Sequence, residues 1–164
     1  MKNLMIMRHG KSDWDAGAQS DHARPLANRG IVSAERMGEV VRDLGIIPGL
    51  VISSTAVRAR ATAELARITG GWASRLVLED DLYGASPRGA LDVVTRHAGE
   101  CERVMIVGHE PTWSMLVRQL TGGSCAMRTA TIADVEMHTA TWDGVTGASG
   151  TLVSLLQARQ FMRS

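Results

Sequence analysis

The sequence predicts an α/β fold with a mostly parallel central sheet, and three observations predict it. Short apolar runs of strand length recur along the chain, at residues 3–7, Leu50-Val51-Ile52, Leu76-Val77-Leu78 and Val104-Met105-Ile106-Val107. Unbroken apolar runs, rather than alternating ones, mark strands buried on both faces, as parallel strands are. Stretches with apolar residues at helical spacing stand between these runs, and strands alternating with helices build parallel sheets. Near the end of the chain Ala133, Val135 and Met137 alternate with Asp134, Glu136 and His138, the pattern of a half-exposed antiparallel strand.

The elements follow in order. Residues 3–7 form the first strand, which stops at Arg8-His9-Gly10. Residues 8–29 are polar, include Trp14, Asp15, Gly17, Asp21, Arg24 and Pro25, and predict a long loop of the kind that carries function. A helix follows from about Gly30 to Leu44, with Ala34, Met37, Gly38, Val41 and Leu44 on one face, and Gly45 ends it. After the Pro48-Gly49 turn and the second strand, Ser53-Ser54-Thr55 offer N-caps for a helix over 56–69. Arg58 and Arg60 then fall in its first turn, where the helix dipole disfavours a cation that has no anion to meet. A solvated surface position is the plain alternative for them. The third strand runs into Glu79-Asp80-Asp81, and a helix from about Pro87 to His97 follows, with proline in its first turn. The fourth strand ends in Gly108-His109-Glu110-Pro111 and leads to a helix reaching about Leu120. Asp143 to Gly150 reads as a glycine-rich hairpin connection, and Leu152 to Leu156 as the last strand.

Composition narrows the function classes. With 164 residues the chain reads as a single domain, 1–164, able to bury a sizeable core. A net charge of +1 makes no electrostatic case for nucleic acid as a partner. Cys101 and Cys125 are too few for a disulfide framework or a zinc site, and no metal-ligand spacing links His22, His97 and His138, which read as surface residues. No run approaches the ~20 apolar residues of a membrane span, and Arg8 and His9 interrupt the first run before it could serve as a signal peptide. The expectation is a cytoplasmic chain with no membrane partner.

Three strand ends carry ionisable groups: Arg8-His9 after the first, Arg58 beyond the second, His109 after the fourth. The carboxyl ends of strands in a wound sheet share one edge, and ligands bind there. Two arginines, two imidazoles and the helix N-termini near 55 and 111 make a cationic pocket whose natural occupant is a phosphoryl group.

Taken together, Arg8-His9-Gly10, the stretch from Ser53 to Glu64, and Val107-Gly108-His109-Glu110-Pro111 resemble the histidine phosphatase superfamily, which includes cofactor-dependent phosphoglycerate mutases and many phosphatases. Asp21-His22-Ala23-Arg24-Pro25-Leu26 and Leu82-Tyr83-Gly84-Ala85-Ser86 resemble its small bacterial SixA-type phosphohistidine phosphatases. The resemblance implies a three-layer α/β/α, phosphoglycerate mutase-like fold in compact form. Between Arg58 and His109 there is room for one strand and one helix, but not for the inserted helical lid of larger members. It further implies that His9 attacks phosphorus and becomes a phosphohistidine that water hydrolyses, with no metal or other cofactor. Arg8, Arg58 and His109 would bind the phosphoryl oxygens, Ser12 would contact phosphate, and Gly10 would let the backbone approach the anion. Arg8 and Arg58 are expected to keep the His9 imidazole neutral. Asp15 stands where the mutases carry Asn and is expected to order Arg8 or Lys11, or to face solvent.

Larger relatives protonate an alcohol leaving group with a glutamate after the third strand. Here the nearest matches are Asp80 and Asp81, with Asp81 closer to the expected position and a solvated acidic loop the alternative. Imidazole, with a pKa near 6.5, leaves more readily than an alkoxide, so a weak or absent acid suits phosphohistidine. The expected partner is therefore a phosphorylated protein, such as a histidine phosphotransfer or carrier domain. The alternatives are a small-molecule phosphomonoesterase and a phosphoprotein-binding module that does not hydrolyse.

Overall fold

The computed structural model describes residues 1–163. Its strands are β1 (Lys2–Arg8), β2 (Leu50–Ser54), β3 (Arg75–Glu79), β4 (Arg103–Gly108), β5 (Ile132–Met137) and β6 (Gly150–Leu156). Its α-helices are α1 (Asn28–Asp43), α2 (Val57–Thr69), α3 (Pro87–Ala98) and α4 (Thr112–Thr121). The strands form one sheet in the order β3-β2-β4-β1-β5-β6. The pairs β2–β3, β2–β4 and β1–β4 are parallel, while β5 is antiparallel to both β1 and β6. This is the predicted α/β architecture, compact and with no inserted lid between β3 and β4.

Alternation along the strands divides the core into two layers. Leu4, Ile6, Ile52 and Ile106 face α3 and α4, where Leu91, Val94, Leu116 and Val117 meet them. Met5, Met7, Val51 and Val107 point the other way, to Met37, Val41, Ala59 and Ala63 of α1 and α2. A strand facing an apolar layer on each side must be apolar at every position, which is why β1, β2 and β4 read as unbroken runs, whereas β3, at the sheet edge, is only partly covered. Helices α1 and α2 approach closely at Gly38, where a Cβ would fall within the contact distance of the Ala66 carbonyl. No described helix is long and apolar enough to cross a membrane.

Two local expectations need correction, and a third gains detail. The N-cap of α2 is Ala56, with no side-chain cap. The Ser54 hydroxyl accepts from the Ala56 amide at 3.2 Å, and the Thr55 hydroxyl donates to Asp80 at 2.5 Å. The Val57 amide instead donates to the His22 carbonyl at 3.0 Å, which ties the long loop to the start of α2. Strand β5 is not half-exposed. Asp134 is buried and receives Arg103 Nη1 on both carboxylate oxygens, at 2.9 and 2.8 Å, so its charge is met by a guanidinium reaching across β1. The connection between β5 and β6 is a 3-10 helix, Trp142–Gly147, whose buried Trp142 donates Nε1–H to the Cys101 carbonyl at 2.5 Å.

Candidate active site

The carboxyl ends of β1, β2 and β4 lie side by side, and the segments leaving them line a cavity of about 650 Å³. His9, just past β1, is held beside β4 by its amide, which donates to the Gly108 carbonyl at 3.0 Å. Its ring is buried, and Nδ1 lies 2.7 Å from the Gly10 carbonyl. A carbonyl can only accept, so Nδ1 carries the proton and Nε2 keeps its lone pair. Nε2 faces Arg58 Nε at 3.4 Å. The His9 pKa is lowered from 6.5 to about 3, first by burial and then, against the opposing Gly10 hydrogen bond, by His109, Arg58 and Arg8. Desolvation, more than the neighbouring arginines, is what keeps this imidazole uncharged.

Arg58 reaches the cavity from the first turn of α2 and is buried. Its Nη1 donates to the Asp21 carbonyl at 2.6 Å and its Nη2 to Asp21 Oδ2 at 2.9 Å. Arg60, two residues on, is exposed and pairs with Glu64 at 2.9 Å, the solvated alternative realised. Arg8 is half-buried and donates Nη1 to the Met127 carbonyl at 3.0 Å. His109 follows β4 with its Nε2 2.9 Å from the Ser54 hydroxyl, and its ring centroid is 5.2 Å from that of His9. Burial, followed by Arg58, lowers its pKa to about 4. Arg8, His9, Arg58 and His109 are thus brought to one cavity, together with Ser12.

Two of the expected phosphate contacts have other engagements. The Ser12 hydroxyl accepts from Arg24 Nη1. Gly10 does not line the cavity. Its amide donates to Thr62 Oγ1 at 3.0 Å and its carbonyl takes His9 Nδ1, while a Cβ there would lie 2.8 Å from the Gly30 carbonyl oxygen of α1. The glycine is required by helix packing and serves to orient the imidazole.

Asp81 is not brought to the cavity. It sits in a 3-10 turn, Asp80–Leu82, with its carboxylate accepting from both Nη atoms of Arg96, at 3.2 and 3.1 Å. About three residues complete a 3-10 turn, so neighbouring side chains diverge. Leu82 goes into the core, and exposed Asp81 goes the other way, toward α3. Asp80 is exposed as well, bonded to Thr55. Asp15 faces solvent.

Four residues of the site carry no role in the sequence reading. Asp21 accepts from Arg24 at 2.8 Å, Arg58 at 2.9 Å and the Tyr83 hydroxyl at 2.7 Å. The Arg24 bond first, then that of Tyr83, holds its carboxyl well below the usual carboxylate range. Tyr83 lines the cavity, 5.5 Å from the His109 ring centroid. His22, expected at the surface, is half-buried beside it, its Nε2 2.9 Å from Thr55 Oγ1 and its ring edge-on to Tyr83. Thr62 accepts from the Gly10 amide and donates to the Arg58 carbonyl at 2.7 Å, joining the loop that bears His9 to the helix that bears Arg58. The stretch from Asp21 to Leu26 was visible as a resemblance, but no periodicity or spacing could show which side chains it presents.

Residues 4–83 match the model of the histidine phosphatase superfamily (branch 1). An uncharacterized protein of Mycobacterium tuberculosis is 38% identical over 67% of this chain and 66% of its own, so the match spans about two thirds of that relative. One of Mycobacterium leprae is 34% identical over 71% of each chain. Among solved structures, the protein histidine phosphatase SixA complexed with tungstate superposes with a TM-score of 0.79 at 23% identity, covering 98% of this chain and 99% of that one. With Leu4–Arg8 of β1, His9, α1, β2 and Arg58 inside the matched segment, the chain belongs to the histidine phosphatase superfamily, branch 1.

Proposed function

We propose that this protein removes a phosphoryl group from protein phosphohistidine, with His9 as the nucleophile. The observation that carries the reading is the state of His9: buried, uncharged at neutral pH, its Nδ1–H on the Gly10 carbonyl and its Nε2 lone pair facing Arg58. In the first step Nε2 attacks the phosphorus of a phosphohistidine protonated on its other ring nitrogen. The P–N bond breaks with its electron pair going to the leaving nitrogen, and the substrate histidine departs as neutral imidazole. His9 becomes an Nε2-phosphoimidazolium that retains its Nδ1 proton, and the Gly10 carbonyl stabilises that cation. Arg8, Arg58 and His109 bind the oxygens of the transferring group, where charge stabilisation does most of the work. Water then attacks the same phosphorus, Nε2 leaves with its lone pair restored, and the proton from water stays on the released phosphate.

The choice of leaving group follows from the carboxylates at the cavity. Asp21 is held anionic by Arg24, Tyr83 and Arg58, and Glu110 accepts both the amide and the hydroxyl of Ser114. Neither carboxylate is arranged to hand over a proton. An alkoxide needs such a donor, whereas a phosphohistidine protonated on its other ring nitrogen releases neutral imidazole without one. The fold shared with a SixA protein supports the same substrate class.

The test is a substrate panel together with trapping of the phosphoenzyme. Phosphohistidine peptides are expected to be hydrolysed in preference to sugar and nucleotide phosphates, with label retained on His9 after acid-free denaturation. His9→Ala should abolish both turnover and labelling, and near-normal turnover by that variant would sink the assignment.

A further inference from the structure

Beside the catalytic cavity lies a second one of about 690 Å³, and the two share Thr129 in their walls. Arg29, Arg128, Arg159 and Arg163 line it, and no aspartate or glutamate does among the described residues. The first three are exposed and take part in none of the ion pairs among the described residues. The N-terminus of α1 opens here through Asn28 and Arg29, with no side-chain cap and no acidic residue in its first turn. The positive end of a long helix therefore adds to the arginines.

A second observation is independent of charge. Thr131, also in the wall, is fully buried, and its hydroxyl has no hydrogen-bond partner among the described residues. A buried hydroxyl without a partner is costly unless something bound there completes it. The cavity wall is held in place on both sides. Arg36 of α1 donates Nε to the Phe161 carbonyl at 3.0 Å, and the Ala130 amide donates to the carbonyls of Arg8 and His9. The segment carrying Arg128 to Thr131 is thus bonded to the nucleophile's own backbone.

We propose that this arginine-lined cavity is the docking site for an acidic peptide segment of the phosphorylated protein partner, a proposal that rests on the phosphoprotein reading above. Four separated guanidinium groups match several carboxylates along a chain better than one compact anion. Val32 and Met162 offer apolar contact to side chains between those carboxylates. The shared wall at Thr129 lets one partner reach both cavities at once, so docking raises the effective concentration of its phosphohistidine at His9.

The test uses the whole chain and the triple variant Arg29→Gln, Arg128→Gln, Arg159→Gln, with thermal unfolding as the check that the variant folds. The first arm measures kcat/KM on phosphoimidazole and on phosphohistidine peptides flanked by glutamate or by glutamine. The triple variant should keep phosphoimidazole turnover and lose roughly tenfold or more on the glutamate peptide, mainly through KM. The wild-type preference for glutamate should also shrink as salt rises. The second arm measures fluorescence anisotropy with an unphosphorylated glutamate–leucine peptide and needs no catalysis. Binding by wild type and loss in the variant supports docking, even if phosphohistidine were not hydrolysed, in which case the functional reading alone would fail. Equal binding of glutamate and glutamine peptides, or equal binding by wild type and variant, overturns the proposal. So does variant-sensitive binding of inorganic pyrophosphate without binding of the peptide, which would make the cavity a small-anion site.

Discussion

At His9, a single hydrogen bond to the next residue's carbonyl decides which nitrogen is free, and burial decides that it stays free. Ring-proton NMR should therefore show His9 and His109 unchanged between pH 8 and 5, since their pKa values lie at about 3 and 4. A midpoint near 6.5 for either would contradict the burial argument. Asp21 is the residue to test for positioning. Asp21→Asn removes the charge that aims Arg58 and is expected to cut kcat/KM roughly 10–100-fold, as loss of an orienting partner does in other sites. Asp81→Asn should turn over phosphohistidine much as wild type does, because its carboxylate faces Arg96. Lost activity would show that the acid is needed after all. His9, Arg8, Arg58 and His109 were legible because each stands at a strand end or in a helix's first turn, which topology places. Asp21, Tyr83 and Thr62 were not, because their roles depend on where loop and turn side chains point, and no periodicity records that.

Between elements, the contacts that hold the site in place sit behind it. The close approach of α1 and α2 at Gly38 leaves no room for a side chain, so Gly38→Ala must push the helices apart. Overpacking of this kind costs about 1–3 kcal/mol. Thermal unfolding should show it as a drop of several degrees, with the catalytic residues untouched. Arg103→Ala should cost more, about 3–5 kcal/mol, because it strands the buried Asp134 carboxylate. An Arg103→Ala protein as stable as wild type in a denaturant titration would mean that water reaches Asp134. The sequence showed β1, β2 and β4 clearly, since burial on both faces leaves a continuous apolar signature, while edge strand β3 carries the same run of apolar residues half-exposed. It misjudged β5 because Asp134, polar in type, is buried with a partner from β4, a pairing invisible in a local pattern. The hydroxyls before α2 were misread for a related reason: His22, from a distant loop, took the amide they were expected to cap.

For the molecule as a whole, the uncharged histidines make acid the natural denaturant. In the unfolded chain both imidazoles titrate near 6.5, whereas in the folded chain they resist protonation down to about 3 and 4. Below pH 6.5 the unfolded state binds more protons, so stability falls as pH falls toward those values. His9 alone accounts for roughly 3 kcal/mol of loss by pH 4. Asp21, whose carboxyl is also depressed, acts in the same direction at lower pH. Urea midpoints measured at pH 7, 5.5 and 4 should decline in that order, and a flat series would contradict the linkage. The long loop before α1 has a different consequence at this scale. Ser12 pairs with Leu26, the Asp13 amide with the Pro25 carbonyl, and the Ala27 amide with the Lys11 carbonyl, so the loop is fastened across its base. Asp15 through Ser20, its outer arc, is exposed and free to change length at the small entropic cost of closing a longer loop, while Asp21 stays fixed on Arg58. The nucleophile lies below that seam. Evolution, or a protein engineer, can therefore exchange the arc as a cassette and redraw the mouth of the pocket while the chemistry underneath is inherited intact.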